Sequence, residues 1–212
     1  ETHLSYSWII PPYVTPQRND SMDQAYSKLD QLSLNCWLNM DRHAFSCLPV
    51  INKEVDFIAT NAEPCTGGAD DYLRLLTEEI IPTAEKEIAG APRWRGIAGY
   101  SLAGLFALYA IYQTDLFSCV GSMSGSLWFP GMKEYIFSHE PNLWPDCMYF
   151  SLGDKESKTR NPVLRNVRQN TEEIHAFYRG KGIDTAFQLN PGNHYNQAVE
   201  RTAAGLCWLL SR

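Results

Sequence analysis

A serine can attack a carbonyl carbon when an imidazole takes its proton and a carboxylate orients that imidazole. Ser101 has the local setting for this. In "WRGIAGYSLAGLFALYAIY" it stands between a short apolar run and a longer one, within Gly99-Tyr100-Ser101-Leu102-Ala103-Gly104. That is a near match to G-x-S-x-G, a strand-to-helix turn so sharp that the positions two before and two after the serine must be small. Here they are Gly99 and Ala103; the alanine is the departure, and Gly104 relieves the next position. A helix starting after Ser101 would aim free N–H groups at the reacting carbon, so Leu102 N–H is an expected oxyanion donor.

The chain order that goes with this elbow is serine, then acid, then histidine. Of five histidines, His3 and His43 precede Ser101. His139 precedes the best acid candidates, and His175 falls in an amphipathic helix, where a surface position is expected. His194 lies in "NPGNHYN", a glycine-containing loop between the last strand and the last helix, and is the expected base. The acid should follow the strand "MYFSL", where Asp154 and Glu156 both stand. The residues alone leave the two open.

Elements of the right kind surround these positions. "LSYSWII" alternates like a strand and ends at Pro11 and Pro12, and "NDSMDQAYSKLDQL" has helical spacing after a cap at Asp20 or Ser21. Residues 33–68 are the least readable; "LNCWLN" and "EVDFIAT" are candidate strands. "ADDYLRLLTEEIIPTAEKEI" reads as a helix kinked or divided at Pro82. A strand near 95–99 feeds the elbow, "FSCVGSM" and "CMYFSLG" are further strands, and residues 161–180 form an amphipathic helix stopped by Gly180. "GIDTAFQLN" is a last strand, and a helix over about 196–210 closes the chain. Strands alternating with helices imply an α/β fold with a mostly parallel sheet, here one domain over 1–212. In such sheets ligands gather at the carboxyl ends of the strands, where Ser101 stands.

Composition narrows the function. A net charge of −6 offers no basic footprint for nucleic acid or an anionic membrane, and no apolar run is long enough to span a bilayer. The six cysteines, at 36, 47, 65, 119, 147 and 207, contain no C-x-x-C pair, so no metal knuckle or redox motif is expected. Their simplest reading is reduced thiols in a reducing, cytoplasmic compartment, although an even count also allows disulfides, the chain begins without Met and a removed leader stays open.

These motifs together resemble the esterases related to enterochelin esterase and esterase D, in the α/β-hydrolase superfamily. The resemblance runs through "TGGADDYLRLLTEEIIP", "GYSLAGLFALYA", "LFSCVGSMSGSLWFPG", "YFSLGDKESKTRNPV" and "LNPGNHYNQAVERTAAGLCWL", the last two-thirds of the chain. It implies a bacterial serine hydrolase of small-molecule carboxylic esters that needs no cofactor. Carried over by motif, Ser101 is the nucleophile, His194 the base, and Glu156 matches the family's G-x-x-[DE] acid, with Asp154 the alternate. Tyr100 and Trp128 are expected to contact substrate; Trp128 lies in "SMSGSLWF", which should border the pocket. No H-G-G-G stretch marks the second oxyanion N–H; the region expected to supply it is "NCWLNMD", residues 35–41. The rival readings are an acyltransferase with the same machinery and a non-catalytic binding protein on the same fold.

Overall fold

A computed structural model describes residues 68–86 and 92–212 in full, together with the backbone of strands at 4–10 and 43–47. The described strands are β1 (Leu4–Ile10), β2 (His43–Cys47), β3 (Pro92–Tyr100), β4 (Cys119–Met123), β5 (Cys147–Gly153) and β6 (Asp184–Asn190). They form one sheet in the order β2-β1-β3-β4-β5-β6, and every neighbouring pair is parallel. The α/β fold with a parallel sheet expected from the alternating pattern is therefore present, and it agrees with the α/β-hydrolase fold that the resemblance implies. The expected helix after Asp20 and the candidate strands "LNCWLN" and "EVDFIAT" lie outside the described residues, and β2 falls where no strand was assigned.

The helices are α1 (Ala69–Leu75), α2 (Ile81–Lys86), α3 (Leu102–Ala110), α4 (Met132–Ser138), α5 (Val167–Gly180) and α6 (Ala198–Leu210). Between α1 and α2 the chain widens into a π turn over Leu76–Ile80. The cause is Pro82, which has no N–H to donate four residues back and whose ring crowds that carbonyl. The helix divides one turn before the proline rather than ending at it. The short helix α4 was not expected; it follows Gly131, held in the left-handed region at φ 80°.

Strands β4 and β5 and the second half of β3, from Gly96 to Tyr100, are buried on both faces, which their apolar runs require. Their side chains alternate between two cores. Ile97, Val120, Met148 and Phe150 meet α1, α3 and α5, whereas Ala98, Tyr100, Met123 and Tyr149 meet α6. Helix α3 is buried almost all round, from Ala103 through Leu108 and again at Ala110, so the elbow preceding it is anchored in the larger core. Helix α6 can lie close against the sheet because residue 205 is glycine. A methyl group there would come within 2.8 Å of Met123 Sδ and 2.9 Å of the Tyr149 ring.

Cys119 and Cys147 are opposite each other on β4 and β5 and are free. Cys207 is disulfide-bonded. Of the two readings left open, reduced thiols and disulfides, Cys207 follows the second, and the argument for a reducing compartment weakens with it. Among the described residues no helix is long and apolar enough to cross a membrane.

Candidate active site

The carboxyl ends of β3, β5 and β6 each deliver one polar side chain to the same edge of the sheet. β3 ends at Tyr100, and Ser101 follows with φ 59° and ψ −122°, a strained geometry for a residue with a side chain. The turn is held by backbone bonds. Ser101 N–H donates to the Met123 carbonyl at 3.1 Å, and the Ser101 carbonyl accepts from Gly104, Leu105 and Ser126 N–H. The tightness expected of the motif is literal, since a methyl group on Gly99 would lie 2.4 Å from the Ala103 carbonyl carbon and oxygen. Ala103 is tolerated because the crowding falls on the glycine side. Leu102 begins α3, and its N–H makes no backbone bond among the described residues, as first-turn donors do.

The hydroxyl of Ser101 meets His194 Nε2 at 3.0 Å. The other ring nitrogen, Nδ1, lies 2.8 Å from Glu156 Oε2. Of the two carboxylates left open, Glu156 thus reaches the imidazole. Asp154 does not: its Oδ1 accepts the Gly192 N–H at 2.7 Å, and its own N–H donates to the Asn190 carbonyl, so it ties the β5 loop to the histidine loop.

The second oxygen of Glu156 is heavily used. Oε1 accepts from Gly153 N–H at 2.6 Å, Ser124 O–H at 2.8 Å and Arg201 Nη1 at 3.0 Å. Burial pushes this carboxyl upward, but hydrogen bonds from His194, Gly153 N–H and Ser124 outweigh it and hold the group below its ordinary value of 4.5. Ser124 closes β4 with a positive φ of 45°, which turns its hydroxyl toward Glu156.

Two expectations need correction. Tyr100, expected to contact substrate, is buried in the core on the α6 face. As the last residue of β3 it points away from the cleft, and its hydroxyl donates to the His194 carbonyl at 2.6 Å. Burial raises its pKa, the bonds to Ser124 and Arg201 opposing. His175, expected on the surface, is half-buried with its ring between Phe150 and Phe187. Its helix turns that face toward the sheet, away from the cleft.

A cleft of about 330 Å³ opens over Ser101 and His194. Leu102, Trp128, Leu164, Val167 and Tyr195 give it apolar walls, and Ser124 and Ser126 line its polar side. Trp128 is where the pocket-bordering segment was expected. Tyr195 was missed: it is 85% exposed, and its ring stands edge-on to His194 at 5.3 Å. Arg201 and Ser124 were missed as well. A signal for Arg201 existed, because it is a lone charge on the face of α6 otherwise made of Thr202, Gly205, Leu206 and Leu209. The region proposed for the second oxyanion donor, residues 35–41, lies outside the described residues.

The family model described as "Putative esterase" matches residues 48–190, more than half of the chain and inclusive of Ser101 and Glu156. The uncharacterized protein YbbA of Bacillus subtilis (strain 168) is 31% identical over 151 residues, which are 66% of this chain and 60% of that protein. The chain thus spans less than two thirds of that relative's length. Among solved structures, siderophore hydrolase EstA from Aspergillus nidulans aligns with TM-score 0.70 at 14% identity, over 99% of this chain and 83% of that one. Enterobactin esterase FES from Shigella flexneri aligns with TM-score 0.66 at 19% identity, over 98% of this chain and 53% of that one. At these identities the two structures speak for the fold alone. The match over residues 48–190, on a sheet of this topology, makes the chain a member of this esterase family.

Proposed function

We propose that the chain is a serine-dependent hydrolase of carboxylic esters, working through an acyl-serine intermediate. The observation that carries this reading is the unbroken relay from Ser101 Oγ to His194 Nε2 and from His194 Nδ1 to Glu156 Oε2, at 3.0 and 2.8 Å. A hydroxyl in such a relay can lose its proton as it attacks, and an ionised acid stabilises the imidazolium that forms.

In the first half-reaction His194 takes the Ser101 proton while Oγ bonds to the ester carbonyl carbon. The carbonyl oxygen becomes an oxyanion facing Leu102 N–H at the start of α3. The C–O bond to the alcohol then breaks, and His194 gives its proton to the leaving oxygen. In the second half-reaction water replaces the alcohol: His194 takes a water proton, the hydroxyl attacks the acyl carbon, and Ser101 leaves with the proton returned.

The cleft suits a small or aryl acyl group. Its walls are apolar, two aromatic residues stand at them, and 330 Å³ is at the lower end for ligand pockets. EstA is named a siderophore hydrolase and FES an enterobactin esterase. Aryl-acyl siderophore esters, short alkyl esters and acylated sugars are the classes to try.

Labelling with a fluorophosphonate probe followed by peptide mapping tests the reading. Modification at Ser101 that disappears in His194→Ala is expected. A folded wild-type protein that resists the probe would leave only a binding protein on this fold.

A further inference from the structure

Among the described residues Arg201 is the most buried charge that the ester-cleaving steps do not use, with its side chain 1% exposed. It sits in the first turn of α6, four residues before Gly205, where the close packing of the helix carries it to the carboxyl edge of the sheet. Its guanidinium reaches five oxygens. Nη1 donates to Glu156 Oε1 at 3.0 Å, Ser124 Oγ at 3.1 Å and Tyr100 Oη at 3.3 Å. Nη2 donates to the carbonyls of Pro191 at 3.2 Å and Asn193 at 3.0 Å. One fork therefore holds the acid on one side and the backbone just before His194 on the other.

We propose that Arg201 is a positioning residue: it fixes the Glu156–His194 geometry and, as the cation beside that pair, sets the pH below which the site stops working. The proposal rests on the reading of Ser101, His194 and Glu156 as the catalytic relay. Two physical points support it. Taking a carboxylate with a 4% exposed side chain out of water is unfavourable, and a buried cation bonded to it offsets that penalty. The bond pattern also demands a planar fork, because two faces separated by the width of a guanidinium must be held at once, which an ammonium cannot do.

The sign of the pH effect does not depend on where the proton sits. The working form has Glu156 ionised and His194 neutral. Adding one proton, to either group, removes the net negative charge of the pair. A neighbouring cation opposes that uptake, so deleting Arg201 makes the pair take its proton at higher pH. The other groups facing the pair keep their charge in the comparison, although the Tyr100 and Ser124 hydroxyls lose their bonds from Arg201. These groups are the Tyr100 hydroxyl from β3, Ser124 from the end of β4, Ser101, Asp154 on Gly192 N–H, and the exposed Tyr195 ring.

The experiment is the pH profile of kcat/KM on 4-nitrophenyl acetate for the wild type, Arg201→Met and Arg201→Lys, each checked for folding by circular dichroism. Arg201→Met is expected to move the acid limb upward by about 1 pH unit and to lower the plateau by roughly 10- to 100-fold through kcat. Arg201→Lys is expected to keep the limb near its wild-type position and still lose kcat, with KM little changed. A folded Arg201→Met protein whose limb stays in place overturns the proposal. If the methionine variant does not fold, the lysine variant decides, and wild-type kcat in it overturns the role of the fork. Should the wild type turn out not to cleave esters, imidazole NMR signals still report the pair's proton uptake in both proteins. That readout separates failure of this inference from failure of the hydrolase reading.

Discussion

Gly99 and Ala103 lie so close across the elbow that a side chain on the first would overlap the backbone of the second. The distance from an added methyl group to the Ala103 carbonyl carbon is 2.4 Å. Neither chain can move without carrying β3 or α3 with it, and both are buried. Gly99→Ala should therefore cost about 1–3 kcal/mol of stability as an overpacked site and should remove most esterase activity by displacing Ser101. Ala103→Gly restores the full G-x-S-x-G pattern. It should keep activity and lose only about 1 kcal/mol from the helix. Thermal unfolding and ester turnover on the two variants check the asymmetry.

Glu156 and Asp154 separate cleanly by substitution. Glu156→Gln keeps the size but removes the charge that an imidazolium needs, and it leaves Arg201 facing a neutral amide. Turnover should fall by roughly 10²- to 10⁴-fold. Asp154→Asn keeps an oxygen for the Gly192 N–H at 2.7 Å, so it should retain turnover within a few-fold. Equal losses in the two variants would return the acid assignment to an open choice.

Acid stability follows from the depressed pKa of Glu156. A carboxyl held below its ordinary value of 4.5 by bonds from His194, Gly153 N–H and Ser124 binds its proton less readily folded than unfolded. Its contribution to stability is thus present above pH 4.5 and is lost as the pH falls through the folded value. The wild-type Tm should drop below pH 4.5 more steeply than that of Glu156→Gln, which has no proton to gain there. Parallel curves for the two proteins would contradict it.

Much of this site was legible in the residues because its code is local. The elbow is a steric pattern within six residues, and the order of serine, acid and histidine follows from which strand ends face one edge. The choice between Asp154 and Glu156 was not legible in the residues themselves, because two carboxylates in one loop differ only in which partner each meets in space; only the family resemblance favoured Glu156. The partners, Gly192 N–H and His194 Nδ1, come from the next strand-to-helix loop. Tyr100 was misplaced for a similar reason: adjacency to Ser101 suggested a shared cleft, but the last strand residue and the turn residue point to opposite sides. Arg201 lies 100 residues after Ser101 and belongs to no motif, yet a charge on the apolar face of α6 was a readable anomaly. In the fold, the parallel strands followed from apolar runs bounded by turns, whereas α4, a single short amphipathic helix, had too few residues to announce itself.

The most direct measurement is hydrolysis of 4-nitrophenyl acetate by Ser101→Ala beside the wild type, with unfolding curves for both. Loss of the oxygen that His194 Nε2 meets at 3.0 Å should abolish turnover to the background rate while Tm stays close to that of the wild type. Turnover in Ser101→Ala equal to that of the wild type would contradict the serine mechanism outright.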